Sequence, residues 1–180
     1  MSRRVSVFGS SRLAPGDDEY EAARRLAGLL TADRWTVITG GYAGVMEAAS
    51  RGAAEAGGRP TGVTIRSWSE RIRANPWVTR EIATDDIFDR LRSLLDSEVL
   101  VAVAGGVGTL AELALAWNLQ QASDATPRPI IAMGRRWEAM MPGFREHLID
   151  RTADQEIIRL LPGPEEVVAA LRARDEESAG

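Results

Sequence analysis

Short runs rich in β-branched residues alternate with longer segments of helical periodicity along the chain, and this alternation limits the possible folds more than any other feature. Strands separated by single helices need crossover connections, which pair the strands in parallel and place helices on the faces of the sheet. The predicted strands cover residues 4–10, 35–41, 60–65, 78–83, 98–104 and 129–133. The predicted helices cover residues 17–30, 44–58, 86–96, 108–122, 136–150 and 164–174. The predicted fold class is therefore α/β: a single Rossmann-like domain with a doubly wound parallel sheet and helices on both faces.

The chain has the size and apolar content of one domain. Its 180 residues, 44% of them hydrophobic, suffice for one complete core, and no repeat or linker divides the sequence. We expect the domain to span residues 1–175 and residues 176–180 to fray. No apolar run approaches the roughly 20 residues that cross a bilayer, and Arg3 and Arg4 lead directly into a strand rather than a signal-peptide core. We therefore expect a soluble, cytoplasmic protein with no membrane partner.

Two residue types are absent, and their absence excludes several kinds of chemistry. Without Cys there is no disulfide, thiolate metal site or thiol nucleophile. All 22 basic residues are Arg, which excludes a Lys Schiff base with pyridoxal phosphate and a Walker-type lysine on a phosphate. The net charge of -4 and the scattered acidic residues give no nucleic-acid footprint. We expect no metal, no cofactor and no nucleic acid, and an anionic ligand would have to be bound by local groups.

Glycine-containing turns follow three of the predicted strands. They are Gly9-Ser10-Ser11, Gly40-Gly41-Tyr42-Ala43-Gly44 and Gly105-Gly106-Val107-Gly108-Thr109. In open α/β sheets, ligands bind beyond the carboxyl ends of the strands, where loops become helix N-termini. Glycine lets peptide N–H groups approach a ligand closely, and a helix N-terminus supplies unpaired donors with partial positive charge. Glycine also serves tight turns and close packing, but three such turns at one edge favour a nucleotide or sugar-phosphate site.

Glu112 lies just after the third turn and has two interpretations. Thr109 and Glu112 satisfy the S/T-x-x-E capping box, in which Glu112 would return a hydrogen bond to the Thr109 backbone. Alternatively, the carboxylate lies in a ligand cleft beside the phosphate donors, within reach of a ribose hydroxyl or an attacking water. The spacing does not separate a cap from a catalyst, so both interpretations stay open.

The predicted helix at residues 86–96 carries two arginines beside an apolar stripe. The stripe consists of Ile87, Phe88, Leu91, Leu94 and Leu95. At about 100° per residue, Arg90 and Arg92 fall on opposite flanks of that stripe. Periodicity therefore does not decide which of them, if either, points into the cleft.

The chain resembles the Lonely Guy (LOG) family of cytokinin riboside 5'-monophosphate phosphoribohydrolases, within the superfamily of lysine-decarboxylase-like proteins and molybdenum-cofactor carriers. The similar segments are FGSS (8–11), TGGYAGVMEAA (39–49), DRLRSLL (89–95) and AGGVGTLAELALAWN (104–118). The family pattern P-G-G-x-G-T-x-x-E is matched from Gly105 to Glu112, with Ala104 in place of proline. The pattern G-G-G-x-x-G-x-M is matched by Gly40, Gly41, Gly44 and Met46, with Thr39 in the first position.

The resemblance implies a hydrolase that cleaves the N-glycosidic bond of an adenine-type or cytokinin-type nucleoside 5'-monophosphate, releasing free base and ribose 5-phosphate. The catalytic pair of the family corresponds to Arg90 and Glu112. The implied substrate-binding residues are Gly9, Ser10, Ser11, Gly40, Gly41, Gly44, Met46, Gly105, Gly106, Gly108 and Thr109. A homodimer is also implied, and the helices at 108–122 and 136–150 could supply its face.

Non-catalytic functions remain open. Molybdenum-cofactor carriers resemble the same family and share its glycine motifs, so a nucleotide-binding or cofactor-carrying protein is the main alternative. A nucleotide-sensing interaction domain without turnover is the third. The connection that contains Trp68 and Trp77 lies at the same edge of the sheet, where a lid, a partner contact or ordinary packing of the two indoles is possible.

Overall fold

The computed structural model describes residues 3–69, 71–122, 127–149 and 152–179. Within these residues the strands form one sheet: β1 (Arg4–Phe8), β2 (Thr36–Thr39), β3 (Thr61–Ile65), β4 (Arg80–Thr84), β5 (Val99–Ala102), β6 (Ile130–Met133) and β7 (Ile158–Leu161). The helices are α1 (Asp18–Ala32), α2 (Val45–Glu55), α3 (Ile87–Leu95), α4 (Val107–Gln121), α5 (Arg135–His147), α6 (Thr152–Gln155) and α7 (Pro164–Ala179). A short 3-10 helix (Arg66–Trp68) follows β3. The strand order is β4-β3-β2-β1-β5-β6-β7 with every neighbouring pair parallel, which confirms the predicted fold class.

Helices cover both faces of this sheet. On one face, α1, α2 and α7 pack on alternate strand residues such as Val5 and Val7. On the other face, α3, α4 and α5 pack on residues such as Leu100 and Ala102. Central strands buried on both sides read as near-continuous apolar runs, which is the pattern of β5 in the sequence. None of the helices in the described part of the chain is long and apolar enough to cross a membrane.

The C-terminal part contains two short elements that the alternation did not predict. Between the predicted helices at 136–150 and 164–174 lie α6 and β7, and β7 pairs with β6 at the edge of the sheet. Strand β7 reads IRLL, with Arg159 exposed and only Ile158 fully buried, so it lacks the continuous apolar run of the equally short β5 and β6, and its pairing with β6 defines it. Helix α7 also continues past residue 174 to Ala179. Two of its residues form ion pairs with the body of the domain, Arg172 with Asp33 and Asp175 with Arg3.

The strand order places a switch point next to β1. The chain passes from β1 outward through β2 and β3 to β4, and then returns to β5 on the other side of β1. Connections that leave β1 and β5 in opposite directions open a crevice beyond the carboxyl ends of these strands, where ligands bind in open α/β sheets. The turns that follow β1, β2 and β5 all reach this edge.

Candidate active site

A cavity of about 820 Å³ opens at the carboxyl edge of the sheet, beside the switch point. The predicted site residues that line it are Gly9, Ser10, Ser11, Gly40, Met46, Arg90, Gly106, Gly108, Thr109 and Glu112. The other three, Gly41, Gly44 and Gly105, shape the turns behind the cavity wall. The described residues contain no group of three or more His, Cys, Asp or Glu side chains that could hold a metal ion.

The turn after β1 is held by backbone hydrogen bonds on two sides. The N–H of Ser10 donates to the carbonyl oxygen of Ala104 (2.9 Å), and the Ser10 carbonyl oxygen accepts from the N–H of Val45 (2.8 Å). Gly44 has φ +71°, and a Cβ there would overlap the Ser10 carbonyl. A Cβ on Gly9 would likewise overlap the Val45 side chain. Because both positions lack a side chain, α2 can dock directly on the first turn.

Gly40, in the turn after β2, leaves the space that Arg90 occupies. A Cβ on Gly40 would overlap the Arg90 guanidinium and lie 2.6 Å from the Met46 sulfur. That sulfur in turn lies 3.8 Å from Nη2 of Arg90, as a weak acceptor. Gly41 has φ +78°, in the left-handed region that favours glycine. Gly40 is therefore required for steric reasons, whereas Gly41 is required for its backbone conformation.

The turn after β5 leads into the N-terminus of α4. Gly106 is the N-cap residue, and the first intrahelical bond runs from the N–H of Leu110 to the carbonyl oxygen of Gly106 (2.9 Å). The N–H groups before Leu110 have no intrahelical acceptor, as in the first turn of any α-helix. A Cβ on Gly106 or Gly108 would meet no atom within 4 Å, so the backbone there is open to a ligand. This end of the cavity has the donors and the positive helix dipole that suit a phosphate.

Arg90 is buried beneath the cavity and has neutral partners on three sides. Its Nε donates to the Val63 carbonyl oxygen (3.0 Å), and its Nη2 donates to the Gly40 carbonyl oxygen (3.2 Å). The guanidinium carbon lies 5.6 Å from the centroid of the Tyr42 ring. Its Nη1 lies 3.7 Å from Oε1 of Glu112, an ion pair in which the side chains are 8% and 12% exposed. This acid–base pair therefore links α3 to α4 at the cavity wall.

Burial dominates the electrostatics of this pair. It raises the pKa of the Glu112 carboxyl to about 7, although the Arg90 charge opposes the rise. Burial also lowers the pKa of Arg90, against the opposing effect of the Glu112 charge. Arginine has so high an intrinsic pKa that Arg90 stays cationic near neutral pH. Glu112 by contrast divides between its protonated and ionised forms near pH 7, the range in which a carboxyl can exchange protons during catalysis.

The start of α4 decides against the capping interpretation of Glu112. The N-cap is Gly106 rather than Thr109, and it has no side-chain cap hydrogen bond. Thr109 is therefore the third residue of the helix, and Glu112 lies in its second turn. The Glu112 carboxylate meets Arg90 at the cavity wall instead of the Thr109 backbone.

The structure also separates the two arginines of α3. Arg92 is exposed and forms an ion pair with Asp89 one turn earlier on the same helix. Arg90 lines the cavity. The strands beneath α3 set this orientation, because Arg90 reaches over β3 to the turn after β2.

Several lining residues were not among the predicted site residues. The ones with chemical interest are Arg12, Tyr42, Trp68 and Ile72. Arg12 directly follows the Gly9-Ser10-Ser11 turn, so its position in the sequence was a usable signal. Tyr42 lies inside the second glycine turn, whereas nothing local in the sequence marks Ile72 as a site residue.

Comparisons with known proteins give the chain a family. A model of the SLOG cluster4 family matches residues 2–156. The cytokinin riboside 5'-monophosphate phosphoribohydrolase of Mycobacterium tuberculosis is 31% identical over 127 residues, which are 66% of this chain and 68% of that protein. The region matched by the family model contains all three glycine turns, Arg90 and Glu112.

Two solved structures share the fold along almost the whole chain. The molybdenum cofactor binding protein of Rippkaea orientalis has a TM-score of 0.77 at 24% identity, covering 96% of this chain and 97% of that one. The molybdenum cofactor carrier protein of Chlamydomonas reinhardtii has a TM-score of 0.73 at 26% identity, covering 96% and 98%. The resemblance to a LOG-type superfamily is thereby confirmed, and the chain belongs to the SLOG cluster4 family.

Proposed function

We propose that the protein hydrolyses the N-glycosidic bond of a nucleoside 5'-monophosphate of the adenine or cytokinin type, releasing free base and ribose 5-phosphate. The observation that carries this proposal is the ion pair of Glu112 and Arg90 in a cavity that the open N-terminus of α4 also lines. A phosphate on the α4 amides would leave the attached ribose next to the carboxylate one helical turn further on, about 5 Å along the axis.

The residues would divide the reaction as follows. The C1'–N bond breaks, its electrons leave with the base, and positive charge develops on the sugar, which the Glu112 carboxylate stabilises. Water adds hydroxyl to C1' and gives up a proton, for which Glu112 is the acceptor, and the departing base takes up a proton. Arg90 orients the ribose or interacts with the leaving group. The N–H groups of Gly106, Gly108 and Thr109 bind the 5'-phosphate.

Three further polar side chains at the cavity suit the same ligand. Ser10 and Ser11 line the cavity and could contact the nucleotide through their hydroxyls. Arg12 is exposed at the cavity and could add a positive charge near the phosphate. The M. tuberculosis relative, named as a phosphoribohydrolase of cytokinin nucleotides, supports this substrate class.

The test is release of free base from AMP and from isopentenyladenosine monophosphate. Glu112→Gln removes the ionisable group and nearly preserves its shape, so we expect turnover to fall by at least about a hundredfold. Binding of ribose 5-phosphate should persist, because the α4 amides are unchanged. The matched control is Glu176→Gln, an exposed carboxyl on α7, which should leave turnover unaltered. A wild-type protein inactive on a broad panel of nucleoside monophosphates would refute the hydrolase.

The second candidate is a carrier that holds its ligand without turnover. The similarity to two molybdenum-cofactor-binding proteins over 96% of the chain favours it. Mass spectrometry of small molecules retained through gentle purification distinguishes the two functions. A pterin or nucleotide that copurifies and stays intact on long incubation would support the carrier, whereas recovered ribose 5-phosphate would support the hydrolase.

A further inference from the structure

We infer that Trp68 is a specificity-determining residue that stacks on the purine base of the ligand, at the apolar side of the cavity. The inference rests on the proposed function in one respect, since it takes the ligand to be a nucleotide. It goes further by assigning a base subsite to the connection between β3 and β4, outside the glycine motifs and the acid–base pair.

Trp68 presents a large apolar surface to the cavity. It ends the 3-10 helix that follows β3, lines the cavity wall and is 39% exposed. Ile72, one turn further along the same connection, also lines the cavity and is 48% exposed. Exposed apolar surface is unfavourable in water, so covering the indole with a flat ring stabilises the complex.

Tyr42 gives the indole a rigid support. The two ring centroids are 5.8 Å apart and the planes are inclined by 31°. Tyr42 is only 6% exposed, and its hydroxyl accepts a hydrogen bond from the N–H of Ile65 (2.9 Å). The Arg90 guanidinium lies on the same ring, 5.6 Å from its centroid. Because these contacts fix Tyr42, the indole that packs on it can hold a base at little further cost in conformational entropy.

A chain of contacts also joins the pair of Tyr42 and Trp68 to the reacting groups. From the α4 N-terminus, the next functional side chain along the helix is Glu112, which pairs with Arg90, which lies on Tyr42, which supports Trp68. In this chain of contacts the acid–base pair lies between the phosphate donors of α4 and the aromatic pair of Tyr42 and Trp68. This is the order of phosphate, glycosidic carbon and base in a nucleotide.

The second tryptophan of the same connection behaves differently. Trp77 is not part of the cavity wall, and its ring lies 5.3 Å from the Arg51 guanidinium carbon. Its backbone N–H donates to Oδ1 of Asn75 (3.1 Å). Trp77 is therefore a control for the loss of an indole from the same connection at a position outside the cavity wall.

The experiment compares ligand affinities by calorimetry in the Glu112→Gln background, where turnover does not interfere. Stacking of a base on an aromatic side chain is worth about 1–3 kcal/mol, so Trp68→Ala should weaken AMP binding by roughly 5- to 150-fold. Ribose 5-phosphate, which has no base, should change by less than about twofold. Trp68→Phe should recover most of the AMP affinity because it restores an aromatic face, and Trp77→Ala should leave both affinities unchanged.

Three outcomes would overturn the inference. The first is an equal loss for AMP and ribose 5-phosphate, which would mean that Trp68 only shapes the cavity. The second is an unchanged AMP affinity. The third is a neopterin monophosphate whose affinity depends on Trp68 while that of AMP does not, which would assign the wall to a pterin. Failure of the proposed function is read separately: a wild type that binds AMP through Trp68 but never cleaves it would refute the hydrolase and leave the base subsite standing.

Discussion

At the scale of single residues, the site depends on the buried Arg90, whose contacts hold its side chain in one position. Arg90 makes two hydrogen bonds to backbone carbonyl oxygens and one ion pair, and Gly40 must lack a side chain to admit it. Leaving a charged group buried without partners is costly, so these contacts hold the guanidinium in one place. Glu112 is positioned by this fixed charge as much as by its own helix.

The pKa of Glu112 makes a prediction about stability that does not depend on catalysis. The carboxyl has a pKa of about 7 in the folded protein, against an ordinary value of 4.5. Well below pH 4.5 the carboxyl is neutral in both the folded and the unfolded state, whereas above pH 7 the folded state holds a buried charge. The free energy of unfolding of the wild type should therefore fall by about 3 kcal/mol, relative to Glu112→Gln, as the pH rises from 4 to 8.

Chemical denaturation of both proteins across this pH range measures the difference. Subtracting the variant removes the titration of all other groups, so only Glu112 contributes. A difference that stays constant with pH, or that changes in the opposite direction, would contradict the raised pKa.

At the scale of elements, the connection from β3 to β4 is anchored to the second glycine turn by one buried side chain. The amide of Asn75 donates to the carbonyl oxygens of Gly41 (3.1 Å) and Tyr42 (3.0 Å). The Asn75 backbone N–H also donates to Gly41 (2.8 Å). Asn75 is thus a positioning residue that joins the connection carrying Trp68 to the turn carrying Tyr42.

Asn75→Ala should destabilise the domain by about 1–3 kcal/mol, because the Tyr42 carbonyl oxygen loses its amide donor and the Gly41 carbonyl oxygen keeps only the backbone N–H of residue 75. For a domain of this size the melting temperature should fall by roughly 3–10 °C. Calorimetry or circular dichroism measures the change. Arg71→Ala, an exposed position in the same connection, is the control and should stay within about 0.5 kcal/mol. Equal stability of Asn75→Ala and wild type would show that water replaces the amide.

At the scale of the whole molecule, α4 and α5 carry exposed apolar side chains outside the cavity. They include Leu119 on α4 and Met140 on α5, each 44% exposed. Exposed apolar surface is typical of a region that binds a protein partner. The homodimer implied by the family resemblance would use these two helices.

We expect a species of about twice 19.5 kDa in light scattering coupled to size exclusion. Leu119→Glu places a charge on the face of α4 and should shift the population to the monomer, since an unpaired charge in an apolar interface is costly. Ala56→Glu adds the same charge beside α2 on the opposite face of the sheet and should leave the assembly unchanged. Equal effects of both substitutions, or a monomeric wild type, would contradict the dimer.

The sequence alone determined the fold class and the edge of the sheet at which the cavity forms. Alternating periodicity is a local property, and parallel strands necessarily bring their carboxyl ends to one edge. The three glycine turns could therefore be assigned to a common edge before any distance was known. The edge strand β7 escaped prediction because it is only partly buried and contains the exposed Arg159, so its apolar pattern is broken and its pairing with β6 defines it.

Only the tertiary structure decided which side chains meet at that edge. Strand order and helix orientation determine that Arg90 rather than Arg92 lines the cavity and that Glu112 contacts Arg90 rather than capping its helix. They also determine that Trp68, but not Trp77, lines the cavity. Such contacts join residues that are distant in the chain, and local periodicity contains no information about them. Sequence therefore defines the elements and their polar turns, whereas packing brings a carboxylate, a guanidinium and an indole into one cavity.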